Sequence, residues 1–455
     1  MNALKQAVEK ETPVAEIITA IDIGTTKIVA LVGRKDSNGK IEILGKGTQP
    51  TPQNTVKRGV VLNIEQASLM IKEAVRKAEE QSGVKFTNAF VGIAGQHIKS
   101  RKESHSKLIS SADKEITQAV LDEMRDDLEN LSLEPGHEII HIIPQQYKVD
   151  NENGVTNPCG MYANKIAGNY NVIVGETESV KNIIKCFDRI GIKINDLFLE
   201  PLASSKSVLT DEEREAGVAL VDIGGGTTDV AVYYDNILKH TAVIPLGGNI
   251  VTSDIHKGCQ ILYRYAEKVK VDYGDAISDI APDNKVVSIP GINGRKKKEI
   301  PLKVLSKIIQ ARMEEIIEFV DYELRNSGVK NQLGAGIVIT GGGSLLRQLV
   351  QLFIFKTGLE VKKASPGQYL SSDYKLVNSP VYSTAVGLLM LGYDNAHKIV
   401  PDEPEQKQEH EQPEEPEVRR EKERDIQRGI GGFLDRIRKA VDGILTENDS
   451  EIDES

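Results

Sequence analysis

The sequence predicts an α/β protein built from two related halves, with an inserted α+β segment, a disordered linker and a C-terminal amphipathic helix. Three observations predict this. A glycine-rich strand–turn–strand pattern occurs twice, at residues 20–32 (AIDIGTTKIVALV) and 218–232 (VALVDIGGGTTDVAV). Strand-like apolar runs alternate with helical spacings through most of the 455 residues, a length that suits two or three domains. The composition turns abruptly polar at 401, and a helical pattern returns at 426.

Whole-chain properties narrow the function. A net charge of −10 argues against a general nucleic-acid binder. Residues 1–15 lack the apolar core of a signal peptide, and no apolar run reaches about 18 residues, so no transmembrane helix is predicted. Cys159, Cys186 and Cys259 form no CxxC spacing, which fits a reducing cytoplasm and points to neither zinc nor disulfides.

In chain order, the first hairpin covers 17–32, and strands at 41–47 and 59–62 are expected to continue its sheet. Residues 64–81 carry apolar side chains at helical spacing, with Gly83 as C-cap. Residues 84–163 break this rhythm with a strand at 90–94, an amphipathic helix over 113–131 capped by Asp113, and a long strand at 138–149. Pro144 gives that strand an edge character. His97, His105, His137 and His141 match no standard metal-ligand spacing. A strand resumes at 169–175, followed by a helix at 178–189 and a strand at 194–199. Pro201 fits the first turn of a helix over 202–209. After the second hairpin, a strand ends at Leu246, a long helix covers 250–273, and a loop or small-strand region at 274–301 carries a basic patch at 295–298. A helix over 302–326, a strand at 336–339, a helix at 345–355 and a helix at 381–391 complete the folded part. The implied units are 16–83 with 164–199, the insert 84–163, 200–246 with 331–400, and 247–330. A linker at 401–425, a helix at 426–445 and a polar tail at 446–455 follow.

The chemistry lies in the turns. Gly24, and Gly224, Gly225 and Gly226, let backbone N–H groups approach a phosphate with no Cβ in the way. Thr25, Thr26, Thr227 and Thr228 add hydroxyls. Asp22 and Asp222, at matching strand ends, suit a Mg²⁺ held largely through water. Either hairpin alone could be a turn with no ligand; their repetition suggests two hairpins facing one cleft. A third turn, Gly341, Gly342, Gly343 and Ser344, follows an apolar strand. Glu200 falls at the junction of the halves, either to orient a water against a γ-phosphate or as a plain helix-terminus carboxylate.

The three turns resemble those of the actin-like ATPase superfamily. That resemblance implies an actin-like two-lobed fold with duplicated α/β domains, ATP and Mg²⁺ as ligands, and two helices crossing between the lobes at 200–209 and 379–391. It assigns Asp22 to Lys27 and Asp222 to Asp229 to the phosphates, Gly341 to Ser344 to adenosine, and Glu267 to the ribose with Lys270 one turn on. A closer resemblance, covering nearly the whole folded chain, is to the bacterial cell-division family FtsA. It is carried by VGIAGQHI at 91–98, EIIH at 138–141 with Pro144-Gln145, and NPCGM at 157–161. It implies a peripheral protein on the cytoplasmic face of the cell membrane at the division septum. Such a protein polymerises with itself, anchors FtsZ and helps recruit other divisome proteins. The C-terminal peptide of FtsZ is expected on the 302–326 helix, with Arg312 and Glu315 as candidate contacts, and ATP hydrolysis is expected to be slow or absent. Two other readings are an ATPase or sugar-kinase type of enzyme and a pilus-assembly relative. The lack of a recognisable acceptor site weighs against the first, and the C-terminal helix against the second. The acidic linker and the polar extension after that helix depart from what the family requires.

The tail has its own physics. Ile426, Ile430, Phe433, Leu434, Ile437, Val441, Ile444 and Leu445 share one helical face, and Arg428, Arg436, Arg438 and Lys439 dominate the other. A disordered linker precedes it, so a membrane surface of anionic lipid is favoured over a partner groove or docking on the chain's own body. Gly429, Gly431, Gly432 and Gly443 each cost up to about 1 kcal/mol of helix propensity. The helix is therefore expected to fold on lipid, binding modestly alone and firmly in an array.

Overall fold

The structure, a computed structural model, describes residues 16–395 apart from 111–113, 292, 294 and 372–376. The expectations for residues 1–15, Asp113, the linker, the membrane face Ile426 to Leu445 and the polar tail lie outside the described residues.

Six of the seven residues of β1 (Ile17–Ile23) are buried, as its nearly unbroken apolar run demands of a central strand. It turns back antiparallel as β2 (Lys27–Lys35), which pairs in turn with β3 (Ile41–Pro50). A small ribbon of β4 (Val56–Lys57) and β5 (Val60–Val61) leads to α1 (Ile64–Ser82), capped by Asn63 and ended by Gly83 at φ 70°. Next, β6 (Asn88–Ile93) runs parallel to β1. The chain then builds a separate unit from β7 (Lys99–Leu108), α2 (Gln118–Glu129), β8 (His137–Val149), β9 (Glu152–Val155) and β10 (Lys165–Glu176). Its sheet has the order β7-β10-β8-β9, and Met124 and Leu128 of α2 pack on Tyr147, Ile166 and Tyr170. The first lobe closes with α3 (Thr177–Asp188) and β11 (Lys193–Leu199).

The second half repeats the first. After α4 (Glu200–Val208) and α5 (Asp211–Ala216), the fully buried β12 (Val218–Ile223) pairs antiparallel with β13 (Thr228–Tyr234), and β13 with β14 (Ile237–Ile244). Helices α6 (Gly248–Gly258) and α7 (Tyr263–Tyr273), the ribbon β15 (Val286–Ile289) with β16 (Lys298–Pro301), and α8 (Leu302–Asn326) form one packed block. Then come β17 (Ile337–Thr340), α9 (Leu349–Thr357), β18 (Val361–Lys363) and α10 (Ser383–Asn395). The two large sheets have the orders β3-β2-β1-β6-β11 and β14-β13-β12-β17-β18, with the same parallel and antiparallel relations at each step. The repeat read from two short strings therefore extends over both sheets.

Two helices exchange between the halves. Helix α4 leaves the first sheet, and Val208 at its end packs on Val218, Leu220 and Ala231 of the second. Helix α10 leaves the second lobe and buries Ala385, Leu388 and Leu389 against Ile18, Ala20 and Leu31 of the first. They pack backbone to backbone: a Cβ on Gly387 would lie 1.7 Å from the carbonyl oxygen of Ala203.

Several elements differ from the sequence expectation. The strand at 90–94 belongs to the first lobe's sheet and not to the insert, while β10 lies in the insert's sheet; an apolar run does not say which sheet it joins. Residues 59–62 do not continue the first sheet, because Arg58 and Gly59, both at positive φ, fold β4 and β5 into a two-residue hairpin. The helix expected over 113–131 begins only after Thr117. The helix expected over 250–273 is two helices, broken where Gln260 takes φ 47°. The helix expected from 345 starts at Leu349, after a 3₁₀ turn and Gln348 at φ 60°. Strand β8 has β10 along one side, and β9 pairs with it only around Tyr147 and Val149, so beside Pro144 it keeps the expected single strand partner.

The helix crossing yields a prediction. Gly387→Ala forces α4 and α10 apart and should lower unfolding stability by about 3 kcal/mol, the upper end for overpacking. Urea denaturation checks this; an unchanged midpoint would show that the crossing tolerates a side chain.

Candidate functional site

The two glycine hairpin tips meet between the lobes. A Cβ on Gly225 would lie 2.3 Å from Thr26 Cγ2, and one on Gly226 would lie 2.4 Å from Thr25 Oγ1, so only glycine allows this approach. Beside the tips lies a cavity of about 340 Å³, within the usual range for ligand clefts of roughly 300–1,000 Å³. Its wall includes Asp22, Gly24, Thr25, Thr26 and Lys27 from the first hairpin, and Asp222, Gly224, Gly225, Gly226, Thr227 and Asp229 from the second. Gly341, Gly342 and Gly343 close another side. Gly341 sits at φ 80°, and a Cβ there would lie 2.2 Å from Asp222 Oδ1. Glu267 and Lys270 of α7 and Glu200 of α4 also face the space. Thus fifteen of the seventeen expected nucleotide-binding residues, and Glu200, converge on one cavity.

The remaining two do not line it. Thr228 is fully buried and donates to the Leu246 carbonyl at 2.8 Å. Ser344 donates to Gly341 O at 2.7 Å and closes the third turn from behind. Arg312 and Glu315 lie on α8 away from this wall, and Arg312 Nε donates to Asp254 Oδ2 at 2.6 Å, which ties α8 to α6.

Each functional group is held by its elements. Asp222 ends β12 and accepts from Ser204 Oγ at 2.6 Å and Thr384 Oγ1 at 3.3 Å, one hydroxyl from each crossing helix. Helix α6 starts on the second hairpin, with Gly248 N–H and Asn249 N–H donating to the carbonyls of Gly224 and Gly225. Lys270 joins α7 to this start through Gly248 O at 3.0 Å, Thr252 Oγ1 at 2.8 Å and the Glu267 carboxylate at 2.8 Å. Thr252 also donates to Glu267.

Five carboxyls line the cavity: Asp22, Glu200, Asp222, Asp229 and Glu267. Burial raises Asp22 to about 6, against the pull of Lys27 and with the push of Asp222. Burial likewise raises Asp222, while its two hydroxyl donors and Lys27 oppose the rise. Glu200 and Asp229 are driven well above the ordinary carboxylate range by burial and by the neighbouring acids. Burial also lowers Lys27 to about 8, despite Asp22 and Asp222. Asp229 Oδ1 is buried and has no hydrogen-bond partner. With Lys270 paired to Glu267, the remaining acids around Lys27 suit a bound cation, and the glycine tips beside them suit an anion: together, a metal–phosphate pair.

Asp229, which the resemblance sets at the end of the second phosphate string, is not among the expected metal or cavity-wall residues, yet it lines the cavity. It stands directly opposite Asp222 in the β12–β13 register, and its place at the far foot of the hairpin was the available signal. Ser204 and Thr384 had no local signal, since only the helix crossing brings them to Asp222.

The family Cell division protein FtsA matches residues 219–387, and the SHS2 domain inserted in FTSA matches 95–174. The Cell division protein FtsA of Pseudomonas aeruginosa is 37% identical over 377 residues, covering 83% of this chain and 89% of the relative. The chain belongs to the FtsA family. Its members from Escherichia coli K12 and Bacillus subtilis are 33% and 32% identical, covering 84% of this chain in each case and 91% and 84% of the relatives. The FtsA-family chain thus belongs with cell division proteins, and the inserted unit agrees with the SHS2 match. Its fold is actin-like. The PilM-PilN type IV pilus biogenesis complex aligns with a TM-score of 0.60 at 16% identity, covering 82% of this chain and 98% of that one. MreB5 of Spiroplasma citri bound to ADP aligns at 0.51 and 17%, covering 84% and 98%.

The acids predict a pH dependence. A carboxyl raised on folding contributes stability below its unfolded value, and that contribution is lost as pH rises through the folded value. For Asp22 the window is pH 3.8 to about 6, and the loss is on the order of 3 kcal/mol. Without divalent cations, Asp22→Asn should therefore lose less stability than the wild type between pH 4 and 7 in denaturant titrations. Parallel pH profiles for the two proteins would contradict this.

Proposed function

We propose that this FtsA-family chain is a nucleotide-dependent scaffold that polymerises on the cytoplasmic membrane face and anchors FtsZ there. The observation that carries the reading is the single cavity walled by both hairpin tips, the third glycine turn and five carboxyls. It fits ATP with Mg²⁺: the glycine tips and Lys27 take the polyphosphate, Glu267 takes the ribose, and Asp22 and Asp222 hold the hydrated metal. When bound, the metal neutralises phosphate charge. MreB5 of Spiroplasma citri, which shares the fold, is bound to ADP, and that supports the assignment by analogy.

The chain's own groups argue for slow hydrolysis. Glu200 is the acid best placed to orient a water, yet burial and the neighbouring acids favour its protonated form. A carboxyl pushed in that direction is a poorer proton acceptor, which supports a cleft that holds nucleotide longer than it turns it over. That suits a scaffold more than a kinase. Calorimetric titration tests the site: Asp222→Ala should weaken ATP binding at least tenfold in Mg²⁺ and much less in EDTA. Equal affinity for variant and wild type would remove Asp222 from the metal site, and turnover near the ordinary enzyme range of roughly 1–10³ per second would favour the enzyme reading.

Attachment is assigned to the apolar face of residues 426–445. No described helix is long and apolar enough to cross a membrane. Phe433 and Leu434 are central on that face, and burying each fully would contribute about 1.5–3 kcal/mol. Each basic residue adds roughly 1 kcal/mol near anionic lipid, screened by salt. The wild type should pellet with phosphatidylglycerol-containing vesicles, form filaments visible on them and carry FtsZ down. Replacing Phe433 and Leu434 with Asp should leave both proteins in the supernatant at low and high salt. Release of the wild type by salt alone, or pelleting of the double variant, would refute insertion; vesicle-bound protein that leaves FtsZ in solution would refute anchoring.

A further inference from the structure

Lys27 lines the cavity, but its ammonium is held on the wall. Its Nζ donates to the Val381 carbonyl at 2.7 Å and lies 4.0 Å from the centre of the Tyr382 ring. Lys46, on β3, approaches the same ring, with its Nζ 4.9 Å from the centre and 3.5 Å from the phenol oxygen. Two cations thus share one aromatic ring. The ring attracts each, and they repel one another.

Tyr382 lies on a short segment that touches the rest of the site. The Pro380 carbonyl accepts from Gly341 N–H in the third glycine turn at 3.2 Å. Two residues beyond Tyr382, Thr384 donates to Asp222. Ser383, between them, shares a hydrogen bond with Thr340 at 2.7 Å. The resting position of Lys27 is therefore built from the segment that joins the third glycine turn to α10.

We propose that Tyr382 and Lys46 form a holding site for Lys27 in the nucleotide-free protein, and that a polyphosphate draws Lys27 off it. This rests on the nucleotide reading of the cleft. A phosphate oxygen offers Lys27 a charge-assisted hydrogen bond, stronger than the carbonyl and ring it leaves. Repulsion from Lys46 pushes in the same direction. Tyr382 and Lys46 are positioning residues: they set where Lys27 waits and what its transfer displaces. An adenosine lacking phosphates has nothing to draw Lys27 with, so the device reports phosphate and not base.

The chain has thirteen tyrosines and no tryptophan, which suits fluorine NMR of the full chain carrying 3-fluorotyrosine. The Tyr382 resonance is identified by its loss in Tyr382→Phe. It should shift on adding ATP–Mg²⁺ and stay in place on adding adenosine, and in Lys27→Met it should no longer respond to ATP. In calorimetry, Tyr382→Leu should bind ATP about two- to fivefold more tightly, because the resting state loses its cation–π contact. Tyr382→Phe, which keeps the ring face, should stay near wild type, and adenosine affinity should not change in either. A Tyr382 resonance that stays still while calorimetry shows ATP bound overturns the proposal, as does a Leu variant that binds ATP no better than wild type. Absence of ATP binding to the wild type would overturn the nucleotide reading itself, a separate and recognisable failure.

Discussion

Asp222 accepts hydrogen bonds from Ser204 on α4 and Thr384 on α10, and the remaining architecture depends on how those helices reach it. Each helix starts in one lobe and packs on the other, and the bare backbone at Gly387 lets them touch. The carboxylate at the end of the second hairpin is thereby fixed by both halves of the molecule. A shift of one lobe against the other must change the hydroxyls around Asp222. The crossing also sets the distance between the hairpin tips, which meet through Gly225 and Gly226 with no room for side chains.

That arrangement carries an electrostatic cost. Asp22, Glu200, Asp222 and Asp229 are gathered out of water, and burial raises all four. The Lys27 ammonium offsets Asp22 and Asp222, and burial in turn weakens its own charge. Buried charge without a partner is strongly unfavourable, so a divalent cation with its phosphate would relieve the site and link the lobes. On the proposed nucleotide reading, binding would therefore stabilise the folded chain.

Much of this was legible in the sequence because the informative residues are local. The Asp-Ile-Gly and Thr-Thr strings mark both hairpins, the spacing of Ile71, Ala74 and Ala78 marks α1, and the apolar repeat from Leu305 to Leu324 marks α8. What the sequence hid depends on tertiary placement. The run at Phe90 reads the same whether it pairs with β1 or opens the insert, and pairing decides it. The break between α6 and α7 turns on Gln260 adopting a left-handed conformation that glutamine does not advertise. Thr228 and Ser344 carry the right hydroxyls for a phosphate, yet hydrogen bonds to the Leu246 and Gly341 carbonyls turn both inward.

The central claim is that one metal–nucleotide complex sits between the two hairpins and is held by both lobes. A crystal structure of the protein grown with AMPPNP and Mg²⁺ tests it most directly. The polyphosphate is expected against residues 24–27 and 224–227, the metal facing Asp22 and Asp222, and the base beside Gly341 to Gly343. Nucleotide bound to one lobe alone, or a metal with neither Asp22 nor Asp222 in its hydration shell, would contradict it.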